Sequence, residues 1–215
     1  MTTPYRVACM IARPCGVHLL ATLLRHPEVA VVGVFTHSKK PSSEDPQRAE
    51  RPEYPLIRAL LAQTNIPLHV VNSAAEGKML PGFDELGDFD FLLSLSWRFL
   101  VPGRFLGRSR LADINLHRGQ LPKYGGAEPV RRMLEDGLTH ATITAHIMTE
   151  ALDDGEILVE DYLDVIATPN EPMLQLVERV KASLDPLYPH TALKAMNEVL
   201  RRRGLPLLTL EAPQP

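Results

Sequence analysis

The stretch "YRVACMIARPCGVHLLATLLRHPEVAVVGVFTH", residues 5–37, decides the fold class. It opens and closes with short, β-branched, nearly continuous apolar runs at 5–12 and 29–37, which are typical of strands buried on both faces. Between them, the apolar residues of 16–27 recur at helical spacing and stop before Pro27. The chain is therefore predicted to begin with one β-α-β unit.

The rest of the chain extends this pattern of alternating strands and helices. We expect an α/β fold with an open, twisted, mostly parallel sheet, Rossmann-like β-α-β units and helices on both faces. A polar, proline-rich loop is predicted at 38–55. Further strands are predicted at 67–71, 90–97, 112–117, 141–150 and 156–167, and further helices at 56–65, 128–137 and 170–203. The last helix is expected to be interrupted at Pro186 and Pro189.

The composition is that of an ordinary globular protein. Of the 215 residues, 45% are hydrophobic and 23% are charged, and the net charge is −3. This acidic balance argues against a nucleic-acid partner, which needs a broad basic face. The sequence has no basic-then-apolar signal at its N-terminus and no apolar run of about 18 residues, so we expect no secretion, no membrane partner and a cytoplasmic location.

Two common kinds of ligand site are missing from the sequence. The turn "ARPCGVH" at 12–18 contains a single glycine, so it is neither a dinucleotide fingerprint nor a phosphate-binding P-loop. The eight histidines are scattered and form no His-x-x-x-His pair, and no Cys/His cluster exists, so we expect no metal site. Cys9 and Cys15 are expected to be reduced thiols of a cytoplasmic protein.

Polar residues at strand ends mark the candidate site. In "INLHRGQLPKYGG" (114–126), Asn115 and His117 end a predicted strand, and a loop without helical spacing follows. Trp97 and Arg98 end another predicted strand. In open α/β sheets, ligands bind beyond the carboxyl ends of the strands. Because alternate residues of a strand share a face, the Asn115 and His117 side chains are expected to lie together.

These residue types suit acid–base chemistry on a carbonyl group. A histidine here would act as a general acid or base, and the Asn115 carboxamide would donate a hydrogen bond to a developing oxyanion. Asp153 or Asp154, in the loop "LDDG" (152–155), would orient the imidazole of His117 and favour its charged form. Each motif alone also fits an ordinary turn or a solvated side chain, and only the combination favours a site.

The same residues resemble the catalytic core of the 10-formyltetrahydrofolate-dependent formyltransferases. The stretch "INLHRGQLPKYGGAEP" (114–129) followed by "LDDG" matches that family's Asn-x-His step, its "LLPKYRG"-like loop and its "LD(T/G)G" loop in order. The 38 positions from Asn115 to Asp153 also match, and the likeness covers most of 5–167. "VGVFTHSKKP" (32–41) looks more like the sugar N-formyltransferase and methionyl-tRNA formyltransferase branch than the purine branch.

The resemblance implies formyl transfer from 10-formyltetrahydrofolate to a primary amine of a small molecule, without a metal. His117 would handle the proton of the attacking amine, and Asn115 would stabilise the oxyanion of the tetrahedral intermediate. Asp153 would hold the imidazole and assist proton transfer through an ordered water. Residues 1–203 would be the catalytic domain and 204–215 a C-terminal tail with an edge segment, and no C-terminal barrel domain is expected.

The resemblance also implies two sets of binding residues. The folate pocket would consist of Trp97, Arg98, Leu100, Met148, Thr149, Glu150 and Leu152. The acceptor contacts would come from Arg13, His37, Arg118 and Lys123. A nucleotide-linked amino sugar is the favoured acceptor. Because members of the family occur as monomers and as dimers, we expect a homodimer partner to pack on 204–215.

Departures from the family pattern bear on the substrate. Gly119 stands where Ser is usual, and Gly125 stands where Arg is usual. The first β-α turn lacks the Gly-Ser-rich phosphate loop of glycinamide ribonucleotide formyltransferase, which disfavours that substrate. Two alternatives stay open at this point: a 10-formyltetrahydrofolate hydrolase, and a non-catalytic folate- or nucleotide-binding module of the same fold.

Overall fold

The computed structural model describes residues 3–210, and the chain divides into two compact units at Asp113/Ile114. The first unit is a parallel sheet in the order β3-β2-β1-β4. Its strands are β1 (Tyr5–Ile11), β2 (Val29–Thr36), β3 (Leu68–Val70) and β4 (Phe91–Leu95). Its helices are α1 (Arg13–Arg25), α2 (Tyr54–Leu61) and α3 (Ala74–Met79), with single 3₁₀ turns at Phe83–Leu86 and Gly103–Phe105. The β-α-β unit predicted from residues 5–37 is thus confirmed.

The sequence pattern explains how this unit is held together. Residues Val7 to Ile11 of β1 have no exposed surface, as expected of a central strand that is covered on both faces. Helix α1 begins three residues earlier than predicted, because Pro14 is tolerated in a first helical turn. The predicted polar loop at 38–55 is a loop as far as Glu53, and a bridge between Lys39 and Glu50 ties it to itself.

The second unit begins within β5 (Ala112–His117) and is antiparallel, in the order β5-β6-β7. Its other strands are β6 (His140–Ile147) and β7 (Ile157–Asp164), and its helices are α4 (Pro129–Glu135), α5 (Met173–Leu184) and α6 (Tyr188–Arg202). The predicted interruption of the last helix is confirmed. Pro186 lies in a 3₁₀ turn, Asp185–Leu187, while Pro189 starts α6 because its missing N–H is harmless in a first turn.

The predicted α/β class is confirmed, with four of the seven strands of the described residues in parallel ladders. The predicted edge segment in the tail is wrong for 205–210, which form no strand, and its remaining residues lie outside the described part. Instead, the buried Asn197 side chain donates to Leu208 O at 2.9 Å and accepts from Leu208 N–H at 2.7 Å. Among residues 3–210, none of the helices is long and apolar enough to cross a membrane.

Candidate active site

The end of strand β5 carries the two polar residues singled out in the sequence. Strand β6 runs antiparallel beside it, with Asn115 opposite His146 and His117 opposite Thr144. Directly opposed residues of an antiparallel pair place their side chains on the same face. The imidazoles of His117 and His146 are both buried, with 9% and 2% of their surface exposed, so water is largely kept from this face.

Asp153 reaches this face from the loop between β6 and β7. The loop folds back tightly, because the N–H of Ile147 donates to Glu156 O at 2.9 Å. A Cβ on Gly155 would lie 1.7 Å from Ile147 O, so only glycine fits there. Asp153 itself has a φ of 52°, a left-handed conformation that Asp and Asn tolerate better than most residues. The loop therefore aims the Asp153 carboxylate back at the sheet.

The three residues that the sequence grouped as catalytic come together at this carboxylate. Asp153 Oδ2 lies 3.4 Å from His117 Nδ1, and Asp153 Oδ1 lies 3.5 Å from the Asn115 amide nitrogen. The backbone N–H of Gly126 donates to Asp153 Oδ2 at 2.8 Å. The carboxylate is thus fixed from the loop that follows β5 as well as from its own loop.

The surroundings of His117 decide which ring nitrogen can take a proton. Nε2 lies 2.8 Å from the backbone carbonyl of Tyr124, which can only accept, so Nε2 carries a hydrogen. Nδ1 therefore carries the lone pair of the neutral ring, and it faces Asp153. Burial lowers the pKa of His117, and the nearby carboxylate and the Tyr124 carbonyl only partly offset this. Asp153 favours the charged form of His117, as expected, but burial outweighs its effect and favours the neutral base.

Asp153 is ionised beside this neutral imidazole. Burial would raise the pKa of Asp153, but the neighbouring His146 imidazole, the hydrogen bond from the Gly126 N–H and the charge that His117 can carry lower it overall. A proton arriving at Nδ1 of His117 would therefore meet a carboxylate already in place. The site is arranged to receive a proton.

Sequence reasoning gave no role to His146, which the structure places in the same cluster. Its Nδ1 lies 2.9 Å from Ile147 O, so Nδ1 carries the hydrogen and Nε2 accepts from the Asn115 amide at 3.1 Å. Nε2 is also 3.6 Å from Asp153 Oδ1. The signal was present: Thr142, Thr144 and His146 alternate as polar residues along a buried strand, where apolar side chains are the rule.

The residues predicted to line a folate pocket from the first unit follow strand β4. Trp97 stacks on His37, with ring centroids 4.3 Å apart, and its buried indole Nε1 has no hydrogen-bond partner among the described residues. Arg98 donates through its guanidinium to the carbonyls of Lys39 and Asn72, both at 2.9 Å. Leu100 is 65% exposed. The segment thus combines a buried indole N–H that has no partner among the described residues with an exposed apolar side chain.

The predicted pocket residues of the second unit lie in the loop after β6. Leu152 is 66% exposed, an unusual fraction for a large apolar side chain in a tight loop. The hydroxyl of Thr149 donates to Ala151 O at 3.0 Å, which shapes the loop rather than leaving that hydroxyl for a ligand. Met148 is half-buried, and Glu150 is exposed.

Two of the four predicted acceptor contacts lie in the first unit. His37 is buried, its Nδ1 bonds to Val71 O at 2.5 Å, and its Nε2 accepts from the Arg98 N–H at 3.4 Å. Burial lowers the pKa of His37 to about 3, so it is a neutral core residue without a ring nitrogen left for an acceptor. The Arg13 guanidinium is half exposed and pairs with Glu44 at 3.3 Å.

The other two predicted acceptor contacts lie in the second unit. Arg118 is mostly buried, donating to Asp185 at 2.9 Å and to the Tyr188 hydroxyl at 3.0 Å. Lys123 is exposed and pairs with Asp136 at 2.9 Å, with its Nζ 4.9 Å from the Tyr124 ring centroid. Through these contacts Arg118, the residue after His117, holds the end of β5 against the start of α6.

The two glycines that depart from the family pattern differ in their surroundings. A Cβ on Gly119 would lie 2.7 Å from Pro129 Cβ and 3.1 Å from His117 Nε2, so the backbone there is closely packed. A Cβ on Gly125 would have its nearest neighbours at 3.5 Å, an ordinary contact distance. The Arg132 guanidinium donates to the Gly125 carbonyl. Gly119 is therefore required by packing, and Gly125 is not.

A half-buried amide and a buried imidazole at the end of β5, with a buried carboxylate from the loop after β6, are residue types suited to group transfer at a carbonyl centre. The family model described as Formyl transferase matches residues 7–191. The chain belongs to that family, whose members are enzymes, as its motifs predicted.

Curated relatives with similar sequences are methionyl-tRNA formyltransferases. That of a Nitratiruptor species is 32% identical over 143 residues, which is 65% of this chain and 45% of the relative. That of Kosmotoga olearia is 27% identical over 142 residues, which is 65% of this chain and 43% of the relative. This chain therefore spans less than half the length of the curated relatives it matches.

Solved structures share the fold at low sequence identity. A phosphoribosylglycinamide formyltransferase from Anaplasma phagocytophilum has a TM-score of 0.66 at 21% identity, covering 90% of this chain and 88% of that one. A formyltetrahydrofolate deformylase from Pseudomonas syringae pv. tomato has a TM-score of 0.66 at 18% identity, covering 94% of this chain and 63% of that one. At these identities the likeness shows the fold alone.

Proposed function

We propose that this protein transfers a formyl group from 10-formyltetrahydrofolate to a primary amine of a small molecule. The observation that carries the proposal is the convergence of Asn115 and His117 on the Asp153 carboxylate. These are the three residues that the family resemblance marks as catalytic. Membership of the formyl transferase family supports the reaction class.

The bound folate would supply the formyl carbon, which the amine attacks, and tetrahydrofolate would leave as the C–N bond breaks. His117 takes the amine proton at Nδ1, because Nε2 is committed to the Tyr124 carbonyl. Asp153 then holds that proton between Nδ1 and Oδ2, directly or through a water, and returns it to the departing nitrogen. In the free protein neither atom of this pair carries a proton and they lie 3.4 Å apart, and protonation of Nδ1 would create the hydrogen bond and shorten the distance.

Asn115 stabilises the charge that develops on the formyl oxygen. Its amide group has two hydrogens, and in the free protein it points them at His146 and Asp153. One of these contacts is 3.5 Å long and is easily given up for an oxyanion. Because the face is buried, a donor fixed here stabilises the oxyanion far more than it would in water.

The residues of both predicted folate segments fit such a ligand. The exposed side chains of Leu100 and Leu152 offer apolar surface to such a ligand. Leu100 belongs to the first unit and Leu152 to the second. The folate assignment of Trp97, Arg98, Leu100 and the 148–152 loop is part of the proposal.

For the acceptor, we retain the amino group of a nucleotide-linked amino sugar. The net charge of −3 supports a small molecule rather than tRNA, although the curated relatives named above act on methionyl-tRNA by name. A cytoplasmic location and a homodimer formed through 204–215 belong to the same proposal.

The test is release of tetrahydrofolate from 10-formyltetrahydrofolate in the presence of a panel of amino sugars, nucleotide-linked amino sugars and amino acids. Release that depends on one amine is the expected result. Release without any amine would make the protein a hydrolase, the activity named for the Pseudomonas syringae neighbour. Folate binding without release would make it a binding module.

A further inference from the structure

The N-terminus of helix α1 follows β1 directly, at the carboxyl end of a central strand of the first unit. In open α/β folds this is a usual position for a ligand, and a helix N-terminus attracts anions through its free N–H groups and its dipole. In this protein a carboxylate of the chain itself lies there. Oε1 of Glu53 accepts from the backbone N–H of Arg13 at 3.0 Å.

The Glu53 carboxylate is fixed in this position. It is 4% exposed, and the same Oε1 accepts from the Arg51 guanidinium at 2.9 Å. Arg51 is likewise 4% exposed, and it also reaches Glu44 at 3.4 Å. Glu44 in turn pairs with the Arg13 side chain at 3.3 Å. A buried ion pair of this kind is expensive to break from one side, because it leaves a charge without a partner.

The first two residues of α1 have no N–H available to a second anion. The Arg13 N–H is already used by Glu53, and Pro14 has no N–H to give. Arg13 has a φ of 65°, a conformation that is unfavourable for a residue other than glycine and that the bond to Glu53 helps to hold. A phosphate at this turn would also meet the negative charge of the buried carboxylate at close range.

We propose that Glu53 fills the anion position at the start of α1 and keeps phosphate from binding at this turn. The proposal rests on contacts within the first unit and does not depend on the proposed function.

The first experiment follows the backbone amide of Arg13 by NMR while inorganic phosphate is added, against sodium chloride at the same ionic strength. The wild-type protein is expected to show no saturable shift beyond that in chloride. A saturable phosphate shift at Arg13 in the wild-type protein would overturn the proposal. This arm needs no substitution and no formyl donor, so it remains decisive if formyl transfer is absent or if a variant fails to fold.

The second experiment repeats the titration with Glu53→Gln and Glu53→Ala. Removing the buried charge is expected to tighten phosphate binding at Arg13 by about tenfold or more. Glu44→Gln is the matched control, since it removes one negative charge from the same network and leaves the Arg13 N–H bonded to Glu53. Failure of both folded Glu53 variants to gain phosphate binding, or an equal gain in Glu44→Gln, would refute the assignment.

Discussion

His117 and Asp153 face each other through Nδ1 and Oδ2 at 3.4 Å, while the Tyr124 carbonyl holds the opposite ring nitrogen at 2.8 Å. This relationship sets the direction of proton movement at the site. Only Nδ1 is open to a proton, and a proton there is shared with an ionised carboxylate. The chemistry proposed for the protein follows from this pair and from the Asn115 amide beside it.

The pKa of His117 should depend on Asp153. In Asp153→Asn the carboxylate that raises the pKa of His117 is lost, so the His117 resonance should titrate at lower pH than in the wild-type protein. Asparagine tolerates the left-handed backbone of Asp153, so the loop should keep its shape. NMR titration of the His117 ring measures this. A His117 pKa that is unchanged or raised in Asp153→Asn would contradict the prediction that the carboxylate stabilises the charged imidazole.

Gly119 and Gly125 provide a matched pair for packing around the loop after β5. Gly119→Ala should lower the free energy of unfolding by about 1–3 kcal/mol, since its Cβ would meet Pro129 and the His117 ring. Gly125→Ala should stay within about 1 kcal/mol of the wild-type value, because its Cβ has room and the unfolded chain loses entropy. Urea denaturation compares them. Equal losses in both variants would contradict the close packing at Gly119.

Arg118 is expected to affect stability more than acceptor binding. Arg118→Met leaves Asp185 without its guanidinium partner and should lower the free energy of unfolding by about 3 kcal/mol. Arg118→Lys keeps the charge but loses the fork that joins Asp185 and the Tyr188 hydroxyl, so it should recover only part of that loss. If Arg118→Lys instead raised KM for the amine at full stability, the residue would belong to the acceptor site.

His37 should make the protein less stable in acid. The unfolded chain binds a proton at His37 below about pH 6.5, whereas burial lowers the folded pKa to about 3. The contribution of His37 to the free energy of unfolding is therefore fully present above pH 6.5. It is lost as the pH drops from 6.5 toward 3, by at most about 1.4 kcal/mol per pH unit. Chemical denaturation at a series of pH values should show a smaller loss of stability over that range for His37→Gln than for the wild-type protein, and an equal loss would contradict the burial of a neutral His37.

The sequence predicted the parts of the site that depend on local pattern. Alternation along β5 placed Asn115 and His117 on one face, whereas the residue pattern left Asp153 and Asp154 open and the family resemblance singled out Asp153. It gave no role to His146, because the partner of Asn115 depends on the register between two strands that are 31 positions apart in the chain. The Glu53 contact with Arg13 also spans 40 positions and connects a side chain to a backbone N–H, which no residue pattern announces.

We propose that Asn115, His117 and Asp153 together transfer a formyl group to an amine. The most direct measurement is transfer of labelled formyl from 10-formyltetrahydrofolate to the amine in wild-type protein, His117→Ala and the control His18→Ala. We expect the wild-type protein and His18→Ala to form the formamide at equal rates. His117→Ala should form it about 10²-fold more slowly or worse, with folate binding retained. Undiminished transfer by His117→Ala would contradict the account.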